Sequence, residues 1–117
     1  MKIPIALTVG LALLSAAATA ADNDKNGRGK EVFADTCVMC HGPTGNPPPM
    51  AKGLGVADLS AADWQASRTD DQIRKVITEG SPKPNSLMRA FKDELAAEDI
   101  DALVRYIRTL AKPAKKK

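Results

Sequence analysis

Both cysteines and the only histidine of this 117-residue chain lie in one stretch of five residues, Cys37-Val38-Met39-Cys40-His41. This is the C-x-x-C-H pattern of covalent c-type haem attachment, in which each cysteine sulfur forms a thioether with a haem vinyl group. The histidine that follows then lies beneath the iron and serves as an axial ligand. The pattern therefore predicts Cys37 and Cys40 as haem attachment sites and His41 as an iron ligand.

A CxxC pair can also form a disulfide, carry free thiols or bind zinc. A thioredoxin-like redox motif lies beside a βαβ pattern, and the sequence shows no such pattern. A structural zinc site usually takes four ligands, whereas this chain offers three Cys and His side chains crowded together. Secreted domains stapled by disulfides usually carry more cysteines. Haem attachment is favoured, and a haem-free dithiol protein stays open as an alternative.

The N-terminus has the composition of an export signal. Lys2 gives a minimal basic start, residues 3–14 are largely apolar, and residues 15–20 are small and end in an A-x-A site. These features predict a secretory signal peptide over residues 1–20, with cleavage after Ala20. Because haem is attached to thiols outside the bacterial cytoplasm, export agrees with the C-x-x-C-H motif, and a periplasmic location is expected.

An uncleaved membrane anchor is the rival interpretation, because the apolar stretch over residues 3–21 is just long enough to span a bilayer. Pro4 and Gly10 favour cleavage, and no stable membrane insertion is then expected. The mature chain, residues 21–117, is predicted to be a single domain with a lysine-rich tail over residues 113–117. The formal net charge of +3 falls to +2 when the signal segment and its one lysine are removed, which does not indicate nucleic-acid binding.

Hydrophobic periodicity predicts an all-α domain. Apolar residues recur at helical spacing over residues 26–36, 69–80 and 97–111. The cysteine pair is expected at the end of the first of these helices, with His41 just past it. Thr69 and Gln72 have the spacing of a capping box at the start of the second of these helices, and its last residue is a glycine, a common helix stop. No alternation typical of strands stands out in the sequence.

Two segments rich in proline and glycine separate the helices. Residues 42–55, GPTGNPPPMAKGLG, are predicted to be loop, partly polyproline-like across residues 47–49. Residues 81–86, SPKPNS, are predicted to be loop because their prolines exclude a regular helix. A short helical turn is expected to open at residues 58–60, with Trp64 directed inward. A long stretch without regular secondary structure in a small domain usually has a functional reason. Wrapping around a prosthetic group would be a sufficient reason here.

The second axial ligand decides what the iron can do. A strong protein ligand opposite His41 leaves only electron transfer, whereas an open position permits gas binding or peroxide chemistry. The mature chain offers three methionine thioethers, Met39, Met50 and Met88. Met39 lies inside the cysteine spacer and cannot reach around the ring, and Met50 is expected mainly to pack at the haem edge. Met88 is far enough from His41 in sequence for a helix and a loop to fold over the opposite haem face.

Two segments, CVMCHG and SLMRAFKDELAAEDIDALVRYIRTL, together resemble a small class I c-type cytochrome, and the resemblance extends over residues 29–110. It implies a cytochrome c-like domain of three to five helices wrapped around one covalently bound haem c. In this family the methionine of the loop before the last helix is the second axial ligand, which corresponds to Met88. Arg89 follows Met88 where the family often has proline.

The resemblance also implies that the first helix crosses the last. The residues expected to meet at this crossing are Gly29 and Phe33 of the first helix and Leu103, Tyr106 and Ile107 of the last. The last helix starts with Ala96 and Ala97, which lack the side-chain cap that is common in the family. Asp93 or Glu94 is the expected replacement for that cap.

The implied function is that of a periplasmic one-electron carrier rather than an enzyme, with periplasmic redox proteins as partners. Lys52, Lys83, Arg89 and Lys92 either form a basic docking patch or are scattered surface charges. Two alternatives stay open: a cytochrome subunit of a larger dehydrogenase or oxidase, and an open-site haem protein if Met88 is not a ligand. The sequence has no glycine-rich phosphate loop, second histidine or Ser/His/Asp set that would suggest nucleotide or hydrolytic chemistry.

Overall fold

A computed structural model describes residues 27–113 of the chain, together with Gly10. Residues 27–113 form six helical segments and contain no strand, which confirms the all-α class. The count exceeds the three to five helices expected, because two of the segments are short turns of four and five residues. The segments are α1 (Gly27–Thr36), α2 (Val38–His41), α3 (Pro49–Gly53), α4 (Ala62–Ser67), α5 (Asp70–Glu79) and α6 (Ala97–Thr109).

Apart from Gly10, the predicted signal peptide over residues 1–20 lies outside the described residues, as do residues 114–117 of the predicted tail. Among the helices that the structure does describe, none is both long enough and apolar enough to cross a membrane.

Helices α1 and α6 cross in close contact at Gly29, which is buried. A Cβ atom built on Gly29 would lie 2.8 Å from the Cβ of Tyr106 and closer still to the carbonyl oxygen of Ala102. Glycine therefore permits an approach of the two backbones that any side chain would prevent. The Phe33 and Tyr106 rings pack beside this contact, with centroids 5.3 Å apart and planes tilted by 59°. The predicted crossing of the first helix on the last is confirmed.

Helix α5 packs on α6 and begins with the predicted capping box. The Gln72 N–H donates to Thr69 Oγ1 at 3.1 Å, and the Thr69 N–H donates to Gln72 Oε1 at 2.9 Å. Gly80 follows the last helical residue with φ = 83°, a conformation that favours glycine. Helices α1, α5 and α6 together bury most of one apolar cluster, which consists of Val32, Phe33, Leu59, Ile73, Ile77, Phe91, Ile100, Leu103, Val104 and Ile107.

Two local predictions are wrong. Residues 42–55 are not continuous loop, because Pro49–Gly53 form α3. Proline suits the first turn of a helix, where its missing N–H leaves no hydrogen bond unmade. His41 is the last residue of α2 rather than the residue after a helix, because the chain turns at Cys37 and then resumes helical geometry at Val38.

The cap of α6 comes from within the helix, and not from Asp93 or Glu94 as expected. The Ala96 N–H donates to Asp99 Oδ2 at 3.3 Å. The other oxygen of this carboxylate accepts a 2.8 Å hydrogen bond from Arg28 Nε, which joins the start of α1 to the start of α6. Hydrogen bonding from Arg28 holds the pKa of Asp99 below its ordinary value, although partial desolvation opposes the shift.

The Gly29 contact can be tested by adding one methyl group. We expect Gly29→Ala to lower the free energy of unfolding of the holoprotein by about 1–3 kcal/mol, because the new Cβ overpacks the crossing. Gly53→Ala is the matched control, since Gly53 is also helical but a Cβ there meets nothing within 4 Å. Denaturant unfolding measures both variants. Equal stability of Gly29→Ala and the parent would contradict the close approach.

The Asp99 carboxylate makes stability depend on pH. Because its pKa is depressed in the folded state, its contribution is present above the ordinary carboxyl pKa of about 3.9 and is lost as the pH falls through the lower folded value. We expect Asp99→Asn to lower the melting temperature at pH 7 and to reduce the loss of stability on acidification below about pH 4. Asp93→Asn, at an exposed position, is the control. Parallel curves for Asp99→Asn and the parent would refute the role of Asp99.

Candidate haem site

A cavity of about 760 Å³ lies between α2, the loop after α3, and α5 with the loop that follows it. Its volume is within the range of sites that hold cofactors and other ligands, and most of its lining is apolar. Cys37, Cys40, His41 and Met88 all line this cavity. The structure thus brings to one place the four residues that the sequence predicted as haem attachment sites and iron ligands.

The His41 ring is oriented by the main chain of the loop after α3. Its Nδ1 lies 3.0 Å from the carbonyl oxygen of Ala57. When Nδ1–H donates to this carbonyl, Nε2 carries no proton and its lone pair is available to a metal ion. Burial lowers the pKa of His41, and the bond to Ala57 partly opposes the shift. Burial therefore favours the neutral ring, which is the form that binds iron.

The two cysteines are three residues apart along a helical path, so their side chains project to the same side. Neither forms a disulfide, and both line the cavity. Cys37 is half-buried, and its Sγ lies 3.5 Å from Thr36 Oγ1. Burial raises the pKa of the Cys37 thiol, and the contact with Thr36 partly opposes this shift. Cys40 is more exposed, at the mouth of the cavity.

Met88 lies in the loop that returns from α5 to α6, where its half-buried side chain packs against the core. The Ser81 N–H donates to the Met88 carbonyl at 3.1 Å, and the Met88 N–H donates to Ser86 Oγ at 3.2 Å. Further along, the Phe91 N–H donates to the Ile77 carbonyl at 2.9 Å. These bonds tie the loop to α5 and to itself, and so fix the main chain of Met88 beside the cavity.

Arg89, which stands where c-type cytochromes often have proline, is held by its own contacts. Its guanidinium group pairs with Glu94 and lies 4.4 Å from the centre of the Phe91 ring. Among the basic residues proposed for a docking patch, Lys83 and Arg89 line the cavity. Because Arg89 already pairs with an acid, its charge is partly neutralised within the domain.

A smaller hollow of about 210 Å³ adjoins the large cavity and shares Cys40 with it. Met39, Met50, Leu54 and Leu87 line it, and they are the large hydrophobic side chains exposed among residues 27–113. Met50 is 81% exposed and faces this hollow rather than the large cavity. The expectation that Met50 packs at the haem edge stays a prediction.

The residues present fit a covalently bound porphyrin. Two unbridged thiols, an imidazole with a free Nε2 and a thioether surround a mainly apolar cavity. Within residues 27–113, no three or more His, Cys, Asp or Glu side chains are grouped so that they could hold a metal ion. The zinc interpretation therefore finds no geometric support in this part of the chain.

Sequence reasoning missed Ala57, which holds His41, and Gly80, whose Cα adjoins the main chain of the Met88 loop. Ala57 acts through its carbonyl oxygen, and every residue has one, so no sequence signal could have identified it. Gly80 was recognised as a helix stop, but its contact with the loop depends on tertiary structure.

Residues 24–107 match the sequence model of the family described as cytochrome c oxidase, cbb3-type, subunit III. The chain is similar to the cbb3-type cytochrome c oxidase subunit FixP of Rhizobium etli, with 34% identity over 70% of this chain. FixP of Azorhizobium caulinodans is 35% identical over 71% of this chain. The matched regions amount to 26% and 28% of those two relatives, so the chain spans little more than a quarter of their length.

Solved structures give the same result for the fold. The KustC0563 c-type cytochrome superposes with a TM-score of 0.65 at 37% identity, covering 72% of this chain and 98% of that one. A substituted form of the same cytochrome superposes with a TM-score of 0.63. The predicted resemblance to c-type cytochromes is confirmed. The chain belongs to the family of cbb3-type cytochrome c oxidase subunit III, as a c-type cytochrome domain whose cofactor is covalently bound haem c.

Proposed function

We propose that this chain is an electron-transfer domain whose single haem c is attached to Cys37 and Cys40 and whose iron is bound by His41 and Met88. The observation that carries the proposal is that these four residues line one cavity. The bound haem supplies a one-electron Fe(III)/Fe(II) couple. The chain's own residues would attach the porphyrin, orient the iron ligands and surround the ring with a mainly apolar lining.

The assignment of Met88 rests on its position relative to Met50. Met88 is half-buried and lines the large cavity, whereas Met50 is exposed at the hollow beside Cys40. His41 is oriented by the Ala57 carbonyl so that Nε2 is free for the iron. With a thioether as the other ligand, the iron has no open position for a substrate, and the reduced state is favoured. The domain then transfers electrons and is not itself the catalyst.

The proposed electron acceptor is a cbb3-type terminal oxidase, with the chain acting as a cytochrome subunit of the complex. The family match and the names of the curated relatives support this role better than that of a free carrier. Export to the periplasm, through a signal peptide over residues 1–20, belongs to the same proposal because haem is attached to thiols outside the bacterial cytoplasm.

A free periplasmic carrier is the second candidate. The observation that favours it is that this chain covers 98% of the solved KustC0563 cytochrome, so a domain of this size exists as a separate chain. In both roles the haem and its ligands are the same, and only the partner differs.

The ligand assignment predicts a spectroscopic difference between two methionine variants. In Met88→Ala, the weak near-infrared sulfur-to-iron band of the oxidised protein is expected to disappear, and carbon monoxide should bind rapidly to the reduced protein at neutral pH. Met50→Ala is the matched control and should keep the band and exclude carbon monoxide. Absorption spectra of the two exported holoproteins measure this. A band that survives in Met88→Ala would contradict the assignment.

The partner assignment predicts association with an oxidase in the native membrane. When the affinity-tagged chain is purified from its native host in mild detergent, we expect a cbb3-type oxidase to co-purify and to oxidise the reduced haem. An unrelated exported c-type cytochrome with the same tag is the control. Recovery of the haem protein only as a separate soluble chain, unable to reduce the oxidase, would overturn the subunit role and support the free carrier.

A further inference from the structure

We propose that Gly80 is a positioning residue for the Met88 side of the haem site, an inference that rests on the proposed role of Met88 as an iron ligand. Gly80 follows the last residue of α5, and its N–H donates to the Val76 carbonyl at 2.8 Å. Its φ of 83° starts the loop that carries Met88. Gly80 contacts this loop as well as ending the helix.

The contact is made by backbone atoms on both sides. A Cβ built on Gly80 would lie 3.0 Å from the Met88 carbonyl oxygen, 3.1 Å from the Ala90 nitrogen and 3.2 Å from the Arg89 carbonyl carbon. These are main-chain atoms, so no change of side-chain rotamer can make room for a methyl group. The absence of a side chain at Gly80 therefore sets how closely the Met88 loop approaches α5.

The surrounding structure determines which side would move. Helix α5 is fixed to the core by Ile73 and Ile77, which are both buried. The loop is hydrogen-bonded at Met88, whose carbonyl accepts from the Ser81 N–H, and at Lys92, whose N–H donates to the Thr78 carbonyl at 3.3 Å. Between these two bonds, Arg89 and Ala90 are exposed. A methyl group at Gly80 would therefore displace the backbone of residues 88–90 rather than α5, whose apolar face is buried in the core.

A displacement of the Met88 backbone would affect iron binding more than it would affect packing. Thioethers to Cys37 and Cys40 and the bond to His41 would fix the iron from the α2 side. The Met88 sulfur would have to reach that fixed position, and a small shift of the Met88 main chain would move the sulfur away from it. We infer that Gly80 keeps the Met88 sulfur within bonding distance of the iron.

A second glycine allows the steric effect to be separated from backbone strain. Gly55 also has φ = 83°, but a Cβ built there meets nothing within 4 Å. Gly80→Ala and Gly55→Ala therefore both place alanine at a positive φ that it rarely adopts. Only Gly80→Ala also presses on the main chain of Met88.

The test compares the exported holoproteins of the parent, Gly80→Ala and Gly55→Ala. We expect Gly80→Ala to weaken the near-infrared sulfur-to-iron band, to lower the reduction potential and to bind carbon monoxide about tenfold faster. Gly55→Ala should lose stability while its band, potential and carbon monoxide binding stay as in the parent. If Gly80→Ala yields too little holoprotein to purify, the carbon monoxide binding of its reduced haem is followed in periplasmic extracts, with Gly55→Ala treated in the same way.

The outcomes distinguish this inference from the function on which it rests. A parent protein without the sulfur-to-iron band would refute the proposed Met88 ligation itself. If the parent shows the band, and Gly80→Ala matches the parent in band and carbon monoxide binding, Met88 remains the ligand. The role of Gly80 is then overturned. Equal spectral changes in the Gly55 and Gly80 variants would also overturn it, because backbone strain alone would then suffice.

Discussion

The close approach of α1 and α6 at Gly29 is the contact on which the geometry of the haem site depends. Helix α1 leads through Cys37 directly into α2, which carries His41. Helix α5 packs on the same α6 and carries the Met88 loop. The two sides of the proposed iron site are therefore positioned by one shared helix, and a side chain at Gly29 would move one side relative to the other.

The cavity also accounts for how a small domain with few aromatic residues is stabilised. The chain contains one Trp, one Tyr and two Phe residues, and a short domain buries a limited fraction of its surface. Core residues Ile73, Ile77, Leu103 and Ile107 line the cavity as well as packing against each other. A porphyrin in the cavity would cover the half-buried apolar side chains of its lining, such as Val56, Trp64 and Val76. Haem binding and folding would then stabilise each other.

The parts of the structure that were predicted from sequence depend on local patterns. Each of these patterns spans only a few helical turns, and each corresponds to a helix or a helix end in the structure. They are the C-x-x-C-H motif, the Thr69 and Gln72 capping box and the three apolar stripes. The helix at Pro49–Gly53 was missed because three consecutive prolines suggested an extended chain, although proline is compatible with a first turn. The Ala57 carbonyl and the Gly80 contact could not be predicted, because both arise only when distant segments pack together.

The proposed function depends on a haem that is covalently bonded to the peptide containing Cys37 and Cys40. Mass spectrometry of that peptide tests this bond most directly. The chain should be expressed with residues 1–20 in place in a host that matures c-type cytochromes, and then digested. We predict that the fragment containing Cys37, Cys40 and His41 carries the mass of one haem, and that no other fragment does. The same fragment recovered at its polypeptide mass alone, with both thiols free to react with an alkylating reagent, would contradict the account.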